Sequence, residues 1–372
     1  MRATAVRSAK TRVKSGKSSQ LPEIRLEPVL VILLTRGRVV RVGLVGAGWV
    51  TQYHLPAWAK VDGAEVVAIC DPDPVAMTAR ADGFGIAGRY ASLEAMLAGE
   101  KLDALDIATP RRFHAANVRA GAAAGLPMLC QKPLGVDLAE AEALVADVGG
   151  RVPLMVHENW RFRPYYRLLQ DWIAEGVLGT LVAARLDFQS SGMIAGADGQ
   201  RPALVRQPFF RDEARLLVME VLIHHLDSLR FLLGGFDMQS ARLARSNDDI
   251  VGEDSAMLTL SRRADGMPLT VFGNLAAHGA PPAPSDQLWI WGRNGTIHLD
   301  GPVLRLMGPS PREQRFDATE SYQAAYDGAI GHFASALRAG EGFETDAADN
   351  LETLALVEAA YRMSGFKPRG AF

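Results

Sequence analysis

From Val40 onward, short apolar runs alternate with longer stretches whose apolar residues recur at helical spacing. Runs at 40–45, 65–70, 104–108, 127–130 and 154–156 read as strands. Segments 49–60, 74–82, 93–98, 114–125 and 138–148 read as helices, the second with a proline in its first turn. Strands alternating with helices of about ten residues predict parallel βαβ units in a doubly wound sheet. Beyond residue 156 the pattern changes. A helix at 165–175 ends at Gly176, and 181–189 alternates as a strand does. Residues 190–215 read as a long loop that carries Arg201, Arg206, Arg211 and Arg215. A helix at 216–233 precedes strand-like stretches at 240–244, 256–260, 269–272, 288–291, 296–299 and 304–306. Turns such as Arg293-Asn294-Gly295 join them and predict an antiparallel sheet. Helices at 322–338 and 351–363 close the chain, the latter ended by Gly365. The expectation is an α/β first domain over 39–156. An α+β second domain over 157–372 would follow, with one large, mostly antiparallel sheet and helices on one side.

At 372 residues the chain is too long for one small core, which agrees with two domains. Its net charge of −2 is unevenly spread. Residues 1–38 hold nine Lys/Arg against two Asp/Glu, a net +7 that leaves −9 on the remainder. A mildly acidic body gives no reason to expect nucleic acid as a partner. The first twenty residues carry six Lys/Arg, four Ser and no acid, and cannot bury enough apolar surface to offset their ordering entropy. The extension 1–38 is therefore expected to lack a fold. A disordered basic tail, a targeting presequence and translation drawn from too far upstream all account for it. The last is preferred, because the folded pattern begins cleanly near Val39. Cys70 and Cys130 both close apolar runs and read as buried strand-end thiols, and no Cys/His spacing suits a metal. No apolar stretch approaches the roughly 18–20 residues of a membrane span. The run 29–34 is too short for a secretory signal and no small-residue cleavage site follows it. A cytoplasmic location is expected.

The run 40–45 stops at Gly46-Ala47-Gly48, and a helix opens at Trp49 and Val50. Strand, tight glycine turn and helix N-terminus together make a phosphate site: bare backbone N–H groups approach a pyrophosphate and the helix dipole favours its charge. Thr51 stands where the third glycine of G-x-G-x-x-G belongs. A second apolar run ends in Asp71, 23 residues after Gly48, where a carboxylate can accept hydrogen bonds from an adenosine ribose. Such a carboxylate repels a 2′-phosphate, so NAD is expected over NADP. Ligands of doubly wound sheets bind beyond the carboxyl ends of the strands. The candidate cofactor contacts are therefore Gly46, Gly48, Trp49, Val50, Asp71, Thr109, Pro110, His114, Gln131 and Lys132, in a domain of the Rossmann type.

Three stretches carry candidate chemistry. Lys132-Pro133 follows a strand and lies near the nicotinamide end if the cofactor crosses the strand tips; the proline stiffens the turn. In Met219–Asp227, MEVLIHHLD, Glu220 and His224 are four apart on a predicted helix and share a face, with Asp227 near it. An imidazole titrates near neutrality and can take a hydroxyl proton, and a carboxylate one turn away can orient it. His225 is given no role. The run from His157 to Pro164, HENWRFRP, is polar and aromatic just after a strand end and is expected to line the interdomain cleft, with Asn159 and Arg161 as substrate contacts.

These pieces resemble the Gfo/Idh/MocA family, typified by glucose–fructose oxidoreductase and inositol dehydrogenase. The resemblance spans about residues 40 to 365. It rests on VGLVGAGWVTQYHLPAW, AICDPDP, ATPRRFHAANVRAGAAAGLPMLCQKPLG, ENWRFRP, EVLIHHLD followed by LRFLLGG, and GRNGTIHLDG, in the family's order. It implies that Lys132 matches the lysine of a Glu-Lys-Pro motif and hydrogen-bonds the reacting oxygen. It implies that Glu220 and His224 match an Asp-x-x-x-His motif, His224 taking the alcohol proton as hydride passes to nicotinamide and Glu220 tuning the pair. Gln131 replaces the usual glutamate and Glu220 the usual aspartate. The function implied is NAD(P)-dependent oxidation of a hydroxyl of a sugar, cyclitol or derivative, by a homodimer or homotetramer formed through the second sheet. The same fold also serves NAD-dependent glycosidases and non-catalytic sugar- or nucleotide-sensing proteins, and these remain alternatives.

Overall fold

The apolar runs of the first half become strands because each is covered on both faces. In the computed structural model, which describes residues 38–148, 150–283 and 285–370, these are β1 (Val40–Val45), β2 (Ala64–Cys70), β3 (Gly88–Tyr90), β4 (Ala104–Ile107), β5 (Met128–Gln131) and β6 (Leu154–His157). They form one sheet in the order β3-β2-β1-β4-β5-β6, with every pairing parallel. Val42, Leu44, Leu105, Ile107 and Leu129 are fully buried in it. Between the strands run α1 (Thr51–Trp58), α2 (Pro74–Phe84), α3 (Leu93–Gly99), α4 (His114–Ala123) and α5 (Leu138–Val148). Local chemistry starts α2: Pro74 occupies its first turn, and the Asp73 carboxylate accepts from the N–H groups of Val75 and Ala76, a cap worth about 1 kcal/mol. The order reverses direction between β1 and β4, which opens a crevice at their carboxyl ends.

The second half pairs β7 (Leu181–Gln189), β8 (Phe236–Ala244), β9 (Ser255–Arg262), β10 (Pro268–Asn274), β11 (Ser285–Gly292), β12 (Thr296–Asp300), β13 (Val303–Met307) and β14 (Arg312–Arg315). Their order is β14-β13-β12-β11-β7-β10-β9-β8, and β7–β10 is the parallel pairing in an otherwise antiparallel sheet among the described residues. Ala184, Leu186, Phe188, Leu258, Leu260, Leu269, Val271, Leu288 and Ile290 alternate onto one face and are buried there. They share a core with Leu222, Leu226, Leu229 and Val357. Each such leucine contributes roughly 1.5–3 kcal/mol by leaving water. The covering helices are α6 (Pro164–Ala174), then, after the short α7 (Pro202–Arg206), α8 (Ile223–Leu233), and finally α10 (Ala347–Ser364), which follows α9 (Ala318–Ala339).

Four differences from the sequence pattern have physical reasons. β3 and β14 are too short or too polar to show a period: REQR of β14 is exposed throughout. The segment 190–215 is not wholly loop, since α7 and a 3-10 turn at Pro208–Arg211 lie within it. The helix expected over 216–233 begins as a π-helical turn, Leu217–Leu222, and becomes α-helical only at Ile223. Finally, α9 does not pack with the second sheet. Its Tyr326, Ala329, Ile330, Phe333 and Leu337 are buried with Val40, Val42, Trp58 and Met155 of the first half. Beyond it, Thr345 accepts from Val156 N at 2.8 Å and donates its hydroxyl to Val156 O at 2.6 Å. The expectation for the extension 1–38 lies outside the described residues, Arg38 excepted.

Candidate active site

At the carboxyl end of β1 the chain must turn sharply to enter α1. Gly46 adopts φ +105°, and a Cβ there would stand 2.9 Å from the Ala108 carbonyl oxygen. Gly48 borders the interdomain cleft, with no atom within 4 Å of where its Cβ would be. The backbone is thus bare toward the cleft, and a side chain would fill the space a pyrophosphate needs. Thr51, in place of the third glycine, donates its hydroxyl to Gly48 O at 2.7 Å and pins the turn. Asp71 accepts from Ala47 N at 2.7 Å and from Asp73 N at 2.8 Å, so its carboxylate also clamps the turn. Each oxygen keeps acceptor capacity for a ribose hydroxyl. Trp49, Val50, Thr109, Pro110, Gln131 and Lys132 line the same cleft; Gly46 and Asp71 stand outside its wall. These residues fit an NAD-type dinucleotide. His114 does not reach the cleft. Its ring nitrogens lie 2.7 Å from the carbonyls of Thr109 and Pro133, bracing the turn after β4 against the turn after β5.

The cleft has a volume of about 1340 Å³. That exceeds the roughly 300–1,000 Å³ of a site for one small ligand. Lys132, Glu220, His224 and Asn159 line it together. Lys132 Nζ donates to the Glu220 carbonyl at 2.8 Å and to its carboxylate at 3.3 Å. The other Glu220 oxygen accepts from Arg111 at 2.8 Å, and Arg111 also pairs with Glu213. Glu220 therefore holds Lys132, not His224. The π-helical turn over Leu217–Leu222 breaks the simple spacing that would put Glu220 and His224 on one α-helical face. His224 instead meets Glu158, Nδ1 to Oε2 at 2.7 Å, and its ring stacks on Trp160 with centroids 4.8 Å apart and planes 6° from parallel. Burial, then the Lys132 charge, holds the His224 pKa well below its ordinary value.

Two more expectations are corrected. Arg161 is buried away from the cleft and donates to Asp227 at 2.8 Å, Asp349 at 2.7 Å and the Glu344 carbonyl at 2.8 Å. Asp227 is thus the partner of Arg161 and has no part in the His224 face. His225 turns to Asp286, 3.0 Å away. Of the four loop arginines, Arg201 pairs with Asp249 and Arg215 with Glu358, while Arg206 borders the cleft. The site also recruits Glu158, Trp160, Arg163, Asp286 and Arg111, to which sequence spacing assigns no role. Arg163 lies 3.7 Å above the Trp160 ring and 3.7 Å from Asp286. Glu158, Trp160 and Arg163 sit in the HENWRFRP run, whose polar and aromatic character after a strand end is the one signal for them.

Residues 40–150 match an oxidoreductase family model with an NAD-binding Rossmann fold, GFO_IDH_MocA, and residues 166–298 match the GFO/IDH/MocA C-terminal domain. The chain is similar to a D-apiose dehydrogenase of Paraburkholderia graminis, 35% identical over 331 residues that cover 86% of either chain. It is also similar to an inositol 2-dehydrogenase of Rhizobium meliloti, 26% identical over 336 residues, 87% of this chain and 96% of the other. Among solved structures, an oxidoreductase from Agrobacterium radiobacter in complex with NAD+, L-tartaric acid and magnesium superposes with a TM-score of 0.81 at 31% identity, covering 88% of this chain and 96% of that one. Relatives named as dehydrogenases do not favour the glycosidase or sensing alternatives. Matched in both halves, and 35% identical to a dehydrogenase along most of its length, the chain belongs to the GFO/IDH/MocA oxidoreductase family and is an NAD(P)-dependent dehydrogenase acting on CH–OH groups, with NAD as cofactor.

Proposed function

We propose that the substrate is a small neutral sugar, cyclitol or derivative, oxidised at a secondary hydroxyl, with His224 as proton acceptor and Lys132 as donor to the reacting oxygen. The carrying observation is that Lys132, Glu220 and His224 converge on the cleft that the glycine turn borders. NAD, when bound, takes the hydride. An imidazole whose pKa is held low is neutral at pH 7, which a general base requires. Lys132 has three donors; two directions are taken by Glu220, which leaves one for the substrate oxygen. Arg111, Lys132 and Arg163 each face a carboxylate from Glu213, Glu220 or Asp286, so this part of the cleft is close to charge-balanced and suits an uncharged polyol. The relatives named for D-apiose and inositol act on molecules of that kind. The Asp71 carboxylate favours NAD over NADP by repelling a 2′-phosphate.

The test is absorbance at the NADH wavelength while the protein, with NAD, is offered cyclitols, aldoses and sugar acids. A rise with neutral polyols is expected. Lys132→Ala and His224→Gln should each lower turnover by about 10²–10⁴-fold, as for a lost acid–base group. Undiminished turnover in both would remove this mechanism. The working unit under this reading is a homodimer or homotetramer. Its support is the outer face of the second sheet, where Met257 is 57% and Met307 39% exposed and Trp289 and Trp291 are half-buried.

A further inference from the structure

We infer that Glu158 is the positioning residue of the proton-accepting imidazole, holding His224 in the tautomer that leaves Nε2 free for the substrate proton. The inference rests on the assignment of His224 above. Glu158 follows β6 directly and is fully buried, as His224 very nearly is. A carboxylate oxygen 2.7 Å from Nδ1 keeps the ring proton on that nitrogen, so the lone pair lies on Nε2. The parallel stack on Trp160 sets the plane in which that lone pair points. Glu220 cannot substitute, because its oxygens are engaged by Lys132 and Arg111. Oxidation of a substrate hydroxyl would pass its O–H proton to Nε2 as the C=O bond forms, with the C–H bonding pair leaving as the hydride that a bound NAD would accept. The imidazolium produced is then flanked by the Glu158 carboxylate, which offsets its charge. Any role Glu158 has for the fold alone would need neither the tautomer nor the charge.

The groups whose charges reach Glu158 are His224, Lys132, Arg161, Arg230, Asp227 and Asp349. Burial pushes the Glu158 carboxyl up to about 7, against the pull of Lys132 and Arg161. Below that pH a proton on the Glu158 oxygen that faces Nδ1 makes the carboxyl a donor to that nitrogen, the ring proton moves to Nε2, and its free lone pair is lost. Alcohol oxidation should therefore rise with pH to a plateau above about 7.

Nitrogen-15 NMR of the labelled protein without cofactor, at pH 8, reads the tautomer directly, the His224 signals being those lost in His224→Gln. A protonated Nδ1 and bare Nε2 are expected; a protonated Nε2 would overturn the inference. Glu158→Gln should lower kcat roughly 10²-fold while leaving the Michaelis constant for NAD in place, and should abolish the pH limb near 7. Glu158→Asp should restore part of kcat. A Glu158→Gln enzyme that keeps both kcat and the limb would sink the proposal. Undiminished kcat in His224→Gln would instead overturn the base assignment, and this inference with it.

Discussion

Gln131 stands where the family motif has glutamate, and its surroundings account for the exchange. Its Nε2 lies 2.9 Å from His54 Nε2 and 3.2 Å from His157 Nδ1, and its Oε1 accepts from Lys132 N at 3.1 Å. His54 Nδ1 sits 2.8 Å from the Asp106 carboxylate and donates to it, so His54 Nε2 is an acceptor. A glutamate here would face two acceptors. An amide supplies two N–H donors, and burial keeps His157 neutral, its pKa held well below its ordinary value. Gln131→Leu would strand these partners and the Lys132 N–H. We expect a loss on the order of 2–4 kcal/mol, read from the midpoint of urea unfolding. A loss under about 1 kcal/mol would show that the network does not hold the turn. The departure from the motif is visible in the sequence, but its reason is not: His54 is 77 residues away and His157 is 26.

The strand–turn–helix that opens the first domain and the π-helical turn that opens α8 illustrate opposite cases at the scale of elements. The first is written locally: an apolar run, two glycines and a helix start lie within a dozen residues. Gly46 is required by its φ of +105° and by the Ala108 carbonyl 2.9 Å from any Cβ. Gly46→Ala should therefore cost about 1–3 kcal/mol in backbone strain. It should also weaken NAD binding by more than roughly tenfold, since 1.4 kcal/mol suffices for that factor. Calorimetric titration with NAD checks it, and unchanged affinity would mean that the turn does not carry the cofactor. The second element is illegible because LVMEVLIHHLD has the same apolar spacing whether its first turn closes as α or π. Tertiary partners decide: Glu253 accepts from the N–H groups of Leu216 and Val218, at 3.3 and 3.0 Å, and anchors the irregular start.

At the scale of the molecule, the cleft exists because the chain crosses between its halves more than once. α9 follows the second sheet in sequence yet buries Phe333 and Ile330 against the first. Arg111, after β4, reaches Glu213 and Glu220 of the second half and ties the cleft walls together. The proposed interface is the outer face of the second sheet, where Trp289 stacks on His298 with ring centroids 3.6 Å apart and lies 5.9 Å from Trp291. Light scattering should find a dimer or tetramer, and Trp289→Glu should shift it toward monomer with the fold intact by circular dichroism. A wild-type monomer would remove the proposed interface.

Periodicity and local motifs determined most strands of the two sheets, the glycine turn after β1 and the candidate residues at the cleft, because each of these depends on neighbours within about twenty positions. Lys132, Glu220 and His224 could be named on that basis. Which side chains pair could not. Of the two acids close to His224 in sequence, Lys132 and Arg111 engage Glu220 and Arg161 engages Asp227, and the acid in contact is Glu158, 66 residues earlier. Arg161 looked like a substrate contact from its place in a polar run, yet Asp227 and Asp349 draw it into the interior. A buried charge is stable only beside its partner, and partners are chosen by how helices and sheets pack, which no local pattern encodes.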